Sequence, residues 1–563
     1  MERLLKADEA NKKGHVRSIV VAPTKELASQ IYEVLTSLLR FHSPSGARLN
    51  PLPQGDATDD PDTAESVPSG PYIMPQLLIG GRTKLAEDLA TFSASSPNVL
   101  IGTPKRMSEV LQSSKVVLKR HFFDLLVLDE ADRLLDQNFQ PDIQKILELL
   151  PKERRTGLFS ASVSEAVNEL VRVGMRYPFK ITARVRSKAG TLDKKTPESL
   201  KLCYLVARPT QKLPMLKKVL ALREAEKSIV YVSTRAGVDY WSHVLGPLLS
   251  VSVFALHGDH KTAIRTKNLN RFRECSNAAI LLTTDVLARG IDIPDIDLVV
   301  QLDPPAQPKD FIHRCGRSGR AGKRGMAITF LNEGGEEDYI KYLEIQGTHV
   351  EPFPEPLQAT DIEATEIMAS IRAVLRQKRE LHDRSQKAFV SWVQAYTKAL
   401  PSDIFDLRKL AWVEMGKAWG LLQWPKMPEL KRHFPQAVED RAFGLELDKD
   451  FKLDSLAYAD KARESKRQEA AAARLRGEKV VSTHAGGARA ERERRKEKAW
   501  SGQKELKNLR EDRRGRKEVK RKAERADKMS DAEKLKAMEL IELIARVRQQ
   551  NVEAEDGFEG FDD

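Results

Sequence analysis

Asp129-Glu130-Ala131-Asp132 follows the apolar run Phe122-Phe123-Asp124-Leu125-Leu126-Val127-Leu128, so paired acids stand where a buried parallel strand reaches its carboxyl edge. Open α/β sheets bind nucleotides at that edge. A first carboxylate there can hold Mg²⁺ through its waters, and the next can orient the water that attacks a γ-phosphate. The phosphate cradle that usually accompanies such acids is not written in the chain: no G-x-x-x-x-G-K-[ST] occurs, and Gly81-Arg82-Thr83 and Gly322-Lys323-Arg324 come nearest.

Three further groups could share the chemistry. Ser160-Ala161-Ser162, at another strand end, offers hydroxyls to Asp132; a plain turn is the competing reading. His313-Arg314-Cys315-Gly316-Arg317-Ser318-Gly319-Arg320 spaces three guanidinium forks by three residues, suited to a transferring phosphoryl group, or else a basic surface turn. Thr284-Asp285-Val286-Leu287-Ala288-Arg289-Gly290-Ile291-Asp292 offers Asp292 to a ribose hydroxyl and Thr284 to a sugar-phosphate backbone, and equally reads as a loop capping a helix.

The elements that must position these groups alternate as strand and helix. Ser18–Val21, Gln76–Ile79, Val99–Ile101, Leu125–Leu128 and Gly157–Phe159 are predicted strands of a doubly wound layout. Residues 43–75 lapse into Pro, Gly, Ser and Asp and are expected to be a disordered insertion. The polar, basic stretch 184–199 reads as a linker. Strands Ser228–Val232, Ala278–Leu282, Leu298–Val300 and Gly325–Phe330 then restart the alternation, so two α/β domains are expected. Thr360–Tyr396 reads as amphipathic helix, with Ile367, Ile371, Val374 and Leu375 on one face. Asp460–Ala526 is dominated by Lys, Arg, Glu and Ala, the composition of solvated helix or disorder. A capping box at Ser530 and Glu533 predicts a last helix before the acidic end EAEDGFEGFDD.

With 563 residues, 41% hydrophobic and 31% charged, the chain can bury more than one core and still carry long solvated segments. Its net charge of +13 favours a polyanion, either nucleic acid or an anionic membrane surface. No apolar run approaches the roughly 20 residues of a membrane span, and Met1–Lys13 has no apolar core of a secretory signal. A soluble intracellular protein without a membrane partner is therefore expected. Cys203, Cys275 and Cys315 are far apart and lack C-x-x-C spacing, which argues for reduced thiols rather than a disulfide framework or zinc site.

Taken in order, the motifs resemble those of DEAD-box RNA helicases over roughly Ser18 to Phe330. That family carries P-T-R-E-L-A, G-G, T-P-G-R, D-E-A-D, S-A-T, A-R-G-x-D and H-R-x-G-R-x-x-R. Here stand Pro23-Thr24-Lys25-Glu26-Leu27-Ala28, Gly80-Gly81, Thr103-Pro104-Lys105-Arg106, Asp129–Asp132, Ser160–Ser162, Ala288–Asp292 and His313–Arg320. Lys25, Lys105 and Ser162 depart from the pattern conservatively, and Thr262 stands where many relatives place a glutamine three residues before the arginine represented by Arg265.

The resemblance implies two RecA-like parallel-sheet domains, 1–183 and 200–350, the first incomplete, then a helical extension over 360–435 and a basic tail with an acidic end over 455–563. It implies ATP and Mg²⁺ as cofactors, with Asp129 holding Mg²⁺ through water. Asp129, Glu130, Asp132, Ser160, Ser162, Arg317 and Arg320 would be catalytic. Asp129, Glu130, Gly290, Asp292, His313, Arg317 and Arg320 would meet the nucleotide. Pro23, Thr24, Lys25, Gly81, Thr103, Pro104, Arg106, Thr234, Arg235, Gly258 and Thr284 would contact RNA, mainly through phosphate and sugar.

Lys387–Tyr396 and Trp424–Leu430 resemble the C-terminal extension of the eukaryotic and fungal DEAD-box helicases that assemble the large (60S) ribosomal subunit. This implies pre-rRNA and pre-60S particles with ribosome-assembly proteins as partners, a nuclear and nucleolar site, and no oligomer. Burial is expected for most of Trp392, Tyr396, Trp412 and Trp419 in preference to base stacking. Relatives begin earlier, with an adenine-recognition segment and a Walker loop, so an N-terminus incomplete upstream is expected. A deleted P-loop strand would be expected to leave two unpaired strand edges. The competing function is an RNA-binding assembly factor that has given up hydrolysis; a DEAH-type or DNA helicase is disfavoured by Asp132 and His313.

Overall fold

The computed structural model describes residues 1–6, 11–49, 70–81, 83–136, 139–160, 175, 178–181, 199–285, 293, 295–319, 323–447 and 453–476. Residues 1–459 form one compact unit and 460–563 another. In the second unit the described element is the helix Lys461–Leu475; the predicted final helix and acidic end lie outside the described residues.

The first sheet is wholly parallel, with strands β1 (Ser18–Val21), β2 (Pro75–Leu78), β3 (Val99–Gly102), β4 (Leu125–Leu128) and β5 (Arg155–Leu158) in the order β2-β3-β1-β4-β5. Ile19, Val21, Leu100, Ile101 and Leu126 are fully buried, as expected of strands covered on both faces. In register, Val21 lies beside both Gly102 and Leu128, so the chain leaves β1, β3 and β4 at one common edge. That register is why Pro23-Thr24, Thr103-Pro104 and Asp129–Asp132 meet, although they are distant in sequence. Gly102 is required here, because a Cβ would stand 2.3 Å from the Leu78 carbonyl oxygen. These five strands are contiguous, so the expected split in the sheet is not found among the described residues; β2 and β5 are the strands with one open side.

The second sheet, also parallel, runs β12-β6-β11-β10-β7-β9-β8. Its strands are β6 (Leu200–Ala207), β7 (Lys227–Tyr231), β8 (Ser252–Leu256), β9 (Ala279–Thr283), β10 (Leu298–Gln301), β11 (Gly325–Asn332) and β12 (Glu351–Pro352). The sequence reading missed β6, β8 and β12. Its carboxyl edge presents Thr234-Arg235, His257-Gly258, Thr284-Asp285 and Asp303.

Three expectations need correction. Residues 43–49, assigned to a disordered insertion, are helical, and Ser45 is buried with its hydroxyl accepting from the Ile73 N–H at 2.9 Å. The single helix expected over 360–396 is two, Asp361–Gln377 and Arg379–Tyr396, broken at the extended Lys378. The break has a tertiary cause: the Arg379 N–H bonds to Ala457 O at 3.3 Å, and its guanidinium donates to Leu453 O and Leu456 O. The packed extension also runs past 435, since Ala437, Leu445 and Leu456 are buried in its core. That core is continuous with the second lobe: Val232, Tyr240 and Trp241 share it with Trp392, Trp412, Trp419 and Trp424. No described helix is long and apolar enough to cross a membrane.

Candidate active site at the facing strand ends

Where β4 stops, the Asp129 N–H still reaches back to Val21 O at 3.0 Å, and its carboxylate accepts the next N–H, that of Glu130, at 2.9 Å. Burial pushes the Asp129 carboxyl above its usual range, and the Glu130 N–H partly offsets this. Glu130 is left-handed, φ +49° and ψ +52°, a conformation that costs a non-glycine residue about 1 kcal/mol or more. The turn is held by the Ala131 N–H on Phe159 O at 2.9 Å, which brings the end of β5 alongside.

Asp132 is buried and receives the Ser160 hydroxyl at 3.0 Å on one carboxylate oxygen. Its other oxygen faces His313 Nε2 at 3.6 Å, from the helix Lys309–Cys315 of the second lobe. Glu130, Asp132 and His313 thus present atoms within 4.8 Å of one another across the cleft. Two more charge contacts join the lobes. Arg265, on the helix Thr262–Glu274, meets Glu26 at 2.5 Å with both side chains nearly buried, and the partly exposed Lys309 meets Asp136 at 2.7 Å.

The two described guanidinium groups of the arginine series, Arg314 and Arg317, do not act alike. Arg314 is wholly interior, its Nε on Asp285 at 2.5 Å and one Nη on both Gln301 Oε1 at 3.3 Å and Asp303 O at 2.9 Å. It braces the lobe and is not available to a phosphate. Arg317 is 7% exposed with Nε donating to His313 O at 3.1 Å, which places it one turn from the histidine. Between them Cys315 is buried, its thiol pushed up to about 12, and so chemically inert.

The residues assigned to RNA occupy matched places on the two lobes. Thr24 caps the helix Lys25–Leu39 by accepting the Leu27 N–H at 3.3 Å, and Thr234 caps the helix Arg235–Leu249 by accepting the Gly237 N–H at 3.0 Å. Each cap is followed by a cation, Lys25 or Arg235, the latter 2.5 Å from Asp259. Pro23 precedes the first cap, and Gly81, at φ +83°, has the Lys25 amine 3.1 Å from the place a Cβ would take. Thr103 and Pro104 open the helix Pro104–Leu111. Gly258 follows β8, and Thr284, 8% exposed, follows β9.

Arg106 departs from its assignment. Its guanidinium is buried against Asp88, lies 3.2 Å from Glu109 and donates to Thr83 O at 3.2 Å, so it shapes the Gly81 loop from within. Ser162, Gly290, Asp292 and Arg320 lie outside the described residues. Glu26, Asp88, Asp285 and Asp303, the partners that fix these groups, were not foreseen in that role; Glu26, adjoining Lys25, and Asp285, adjoining Thr284, carried a local signal.

A second group, Asp239, His257 and His260, also brings ligand-type atoms within 4.8 Å. The Asp259 N–H points at His257 Nδ1 at 3.3 Å, which leaves Nε2 as the protonated nitrogen, directed at Asp239 at 2.9 Å. That is the tautomer opposite to the one a metal on Nε2 needs.

Two facing parallel sheets with acids on one edge and an arginine-bearing helix on the other define a helicase of the DEAD/DEAH box class. Residues 1–170 match the family model described as DEAD/DEAH box helicase, and 211–322 match the helicase conserved C-terminal domain. The structure resembles that of Mss116p (NTE and C-tail double deletion) bound to ssRNA and AMP-PNP, with a TM-score of 0.58 at 21% identity, covering 78% of this chain and 82% of that one. It also resembles Mss116 bound to ssRNA and UDP-BeF, with a TM-score of 0.57 at 22% identity, covering 73% and 76%. Both likenesses concern the fold.

Residues 378–427 and 458–563 match the C-terminal extension and C-terminal tail described as ATP-dependent rRNA helicase SPB4-like. The chain is 47% identical to the ATP-dependent rRNA helicase SPB4 of Phaeosphaeria nodorum over 519 residues, 90% of this chain and 80% of that protein. It is 49% identical to the spb4 protein of Emericella nidulans over 473 residues, 83% and 72% of the respective chains. The chain belongs to the SPB4 family of DEAD-box helicases.

Proposed function

We propose that this protein is an ATP-dependent RNA helicase that remodels pre-rRNA during assembly of the 60S subunit, in the nucleolus and in company with ribosome-assembly proteins, as a monomer. The observation that carries the reading is Asp132, held between the Ser160 hydroxyl of its own lobe and His313 of the other. A group so placed senses both whether the acids are occupied and whether the lobes are shut.

In this reading Glu130 orients the attacking water, and its left-handed backbone aims the carboxylate into the cleft. Arg317 and Arg320 stabilise charge on the transferring phosphoryl group once the lobes close, with Gly290, Asp292 and His313 completing the nucleotide contacts. Mg²⁺ fits at Asp129, whose charged carboxylate is disfavoured by burial at the end of β4 and would gain a counter-charge there. Held there through water, Mg²⁺ would supply positive charge to phosphate oxygens. Asp132 with Ser160 and Ser162 links that site to the RNA grip, formed by Pro23, Thr24, Lys25, Gly81, Thr103 and Pro104 on one lobe and Thr234, Arg235, Gly258 and Thr284 on the other. Arg106 contributes by holding the Gly81 loop. Such contacts read backbone and 2′-hydroxyl rather than base sequence. The Lys/Arg tail suits anchoring on rRNA.

A second reading, an RNA-binding assembly factor without turnover, is favoured by the lack of a G-x-x-x-x-G-K-[ST] loop in this sequence. RNA-stimulated phosphate release decides between them, measured on this polypeptide beside a version extended upstream in its reading frame. Release in either form supports the helicase; RNA binding with no release in both supports the factor.

A further inference from the structure

The helical extension donates one side chain to the machinery of the second lobe. Trp392, on the helix Arg379–Tyr396, is buried, and its indole N–H donates to Asp303 Oδ1 at 3.0 Å. The other oxygen of the same carboxylate, Oδ2, accepts the Ser233 N–H at 2.9 Å. Ser233 immediately precedes Thr234-Arg235, the capped turn assigned to RNA. The main-chain oxygen of Asp303 takes Arg314 Nη1 at 2.9 Å, and Arg314 in turn holds Asp285, the neighbour of Thr284. One aspartate therefore carries three attachments: to the turn before Arg235, to the helix bearing His313 and Arg314, and to the extension.

We infer that Trp392 is a positioning residue for RNA binding: by fixing the Asp303 carboxylate it sets the Ser233–Arg235 turn in its RNA-competent conformation. A carboxylate bonded on one oxygen only can rotate about its last torsion, and a turn hung from it moves with it; the indole N–H on the second oxygen removes that freedom. Trp392 touches no RNA in this scheme. The inference rests on the proposed RNA role of Arg235, so the test separates the two.

The full chain is compared as wild type, Trp392→Phe, Arg235→Ala and the double variant, with a fluorescein-labelled single-stranded RNA in anisotropy titrations. Amide hydrogen exchange is followed on the peptide spanning Ser233. Phenylalanine keeps a ring in the core but removes the donor together with three heavy atoms, so the cavity it leaves at buried Trp392 is read separately, from the melting curves. Trp392→Phe is expected to weaken RNA binding about three- to tenfold, the net worth of one hydrogen bond, and to speed exchange at Ser233 by a similar factor. The double variant should bind no more weakly than Arg235→Ala alone, because both changes disable one turn. Asp303→Asn, which retains an acceptor for Trp392 but turns an NH₂ towards the Ser233 N–H, should reproduce the faster exchange with Trp392 in place. Melting curves identify any variant that has merely lost its fold, and Asp303→Asn then supplies the exchange test. If Arg235→Ala weakens binding while Trp392→Phe leaves affinity and exchange unchanged, or if the two losses add, the positioning role is overturned and the RNA reading stands. If Arg235→Ala has no effect, both fall.

Discussion

Removing Glu26 should open the clamp. Glu26 and Arg265 come from different lobes, lie 2.5 Å apart and are 12% and 7% exposed at the side chain, so the pair is close to fully desolvated. Deleting one member of such a pair costs about 3–5 kcal/mol, mostly because the partner charge stays buried alone. Arg265 can escape that cost without unfolding, by letting the lobes part so that water reaches it. The penalty therefore appears in the open-closed equilibrium, and its low end, about 3 kcal/mol, is about two powers of ten. The companion contact between Lys309 and Asp136 is 37% and 19% exposed and is worth under about 1 kcal/mol, so Asp136→Ala should change little.

Single-molecule energy transfer can measure this. Dyes at Phe41→Cys and Ile345→Cys would sit at positions 91% and 82% exposed, with Cys275 replaced by Ser and the buried Cys203 and Cys315 left alone. Glu26→Ala is expected to shift the population to longer distances, and exchanging the two charges, Glu26→Arg with Arg265→Glu, to bring part of it back. A distance distribution that does not change in Glu26→Ala would refute the claim that this pair holds the lobes together.

Glu130→Gln should retain RNA and nucleotide binding while RNA-stimulated phosphate release falls at least about a hundredfold, and undiminished turnover would end its assignment as the water-orienting group. Buried His382 has its imidazole pulled down to about 4 by desolvation, against 6.5 when unfolded. The unfolded chain therefore takes the proton first. The stability involved is complete above pH 6.5 and drains as the pH falls from 6.5 towards 4, by up to about 3 kcal/mol. Near-UV melts of Trp signals at about pH 7.5 and about pH 5 should show that loss, and His382→Gln should flatten it; identical pH slopes in the two proteins would contradict the assignment. Gly325→Ala would put a Cβ 2.1 Å from Gly319 N and 2.2 Å from Ser318 Oγ, so the turn after Arg317 must move. Overpacking of this kind costs about 1–3 kcal/mol, and turnover should drop further than melting implies; an alanine variant with normal rate and melting would show that Arg317 tolerates the shift.

The buried central strands were legible because each is a short, unbroken apolar run, as at Ile19-Val20-Val21 and Leu126-Val127-Leu128. β6 hid behind its own polar interruptions, Lys201 exposed and Tyr204 half-buried, and behind the polar stretch before it. β8 follows a helix that runs on through Gly246-Pro247, a pair that ordinarily marks a stop, and ends instead on left-handed Ser250, three residues later than that pair suggests. At the site, Asp129–Asp132, Ser160 and His313 could be picked out by type and order. Their fixings could not: Glu26 with Arg265, and Asp303 with Trp392, are pairs made by tertiary folding, and although Glu26, Arg265 and Trp392 stand in recognisable segments, nothing local says which partner each will meet. Arg106 misled for the same reason, since nothing beside it in sequence announces Asp88 as its partner.

The shared interior of the second lobe and the extension has a practical meaning for anyone trimming this protein. Tyr240, on the lobe, gives its hydroxyl to Trp419 O at 2.7 Å, and the two rings stack 5.8 Å apart. A truncation at the apparent end of the helicase motifs would strip the cover from Val232, Tyr240 and Trp241 and leave an oily, aggregation-prone flank. Loss of activity in such a deletion would report damage to the remaining half rather than the duty of the missing one, and a single-residue change such as tryptophan to phenylalanine is the cleaner scalpel.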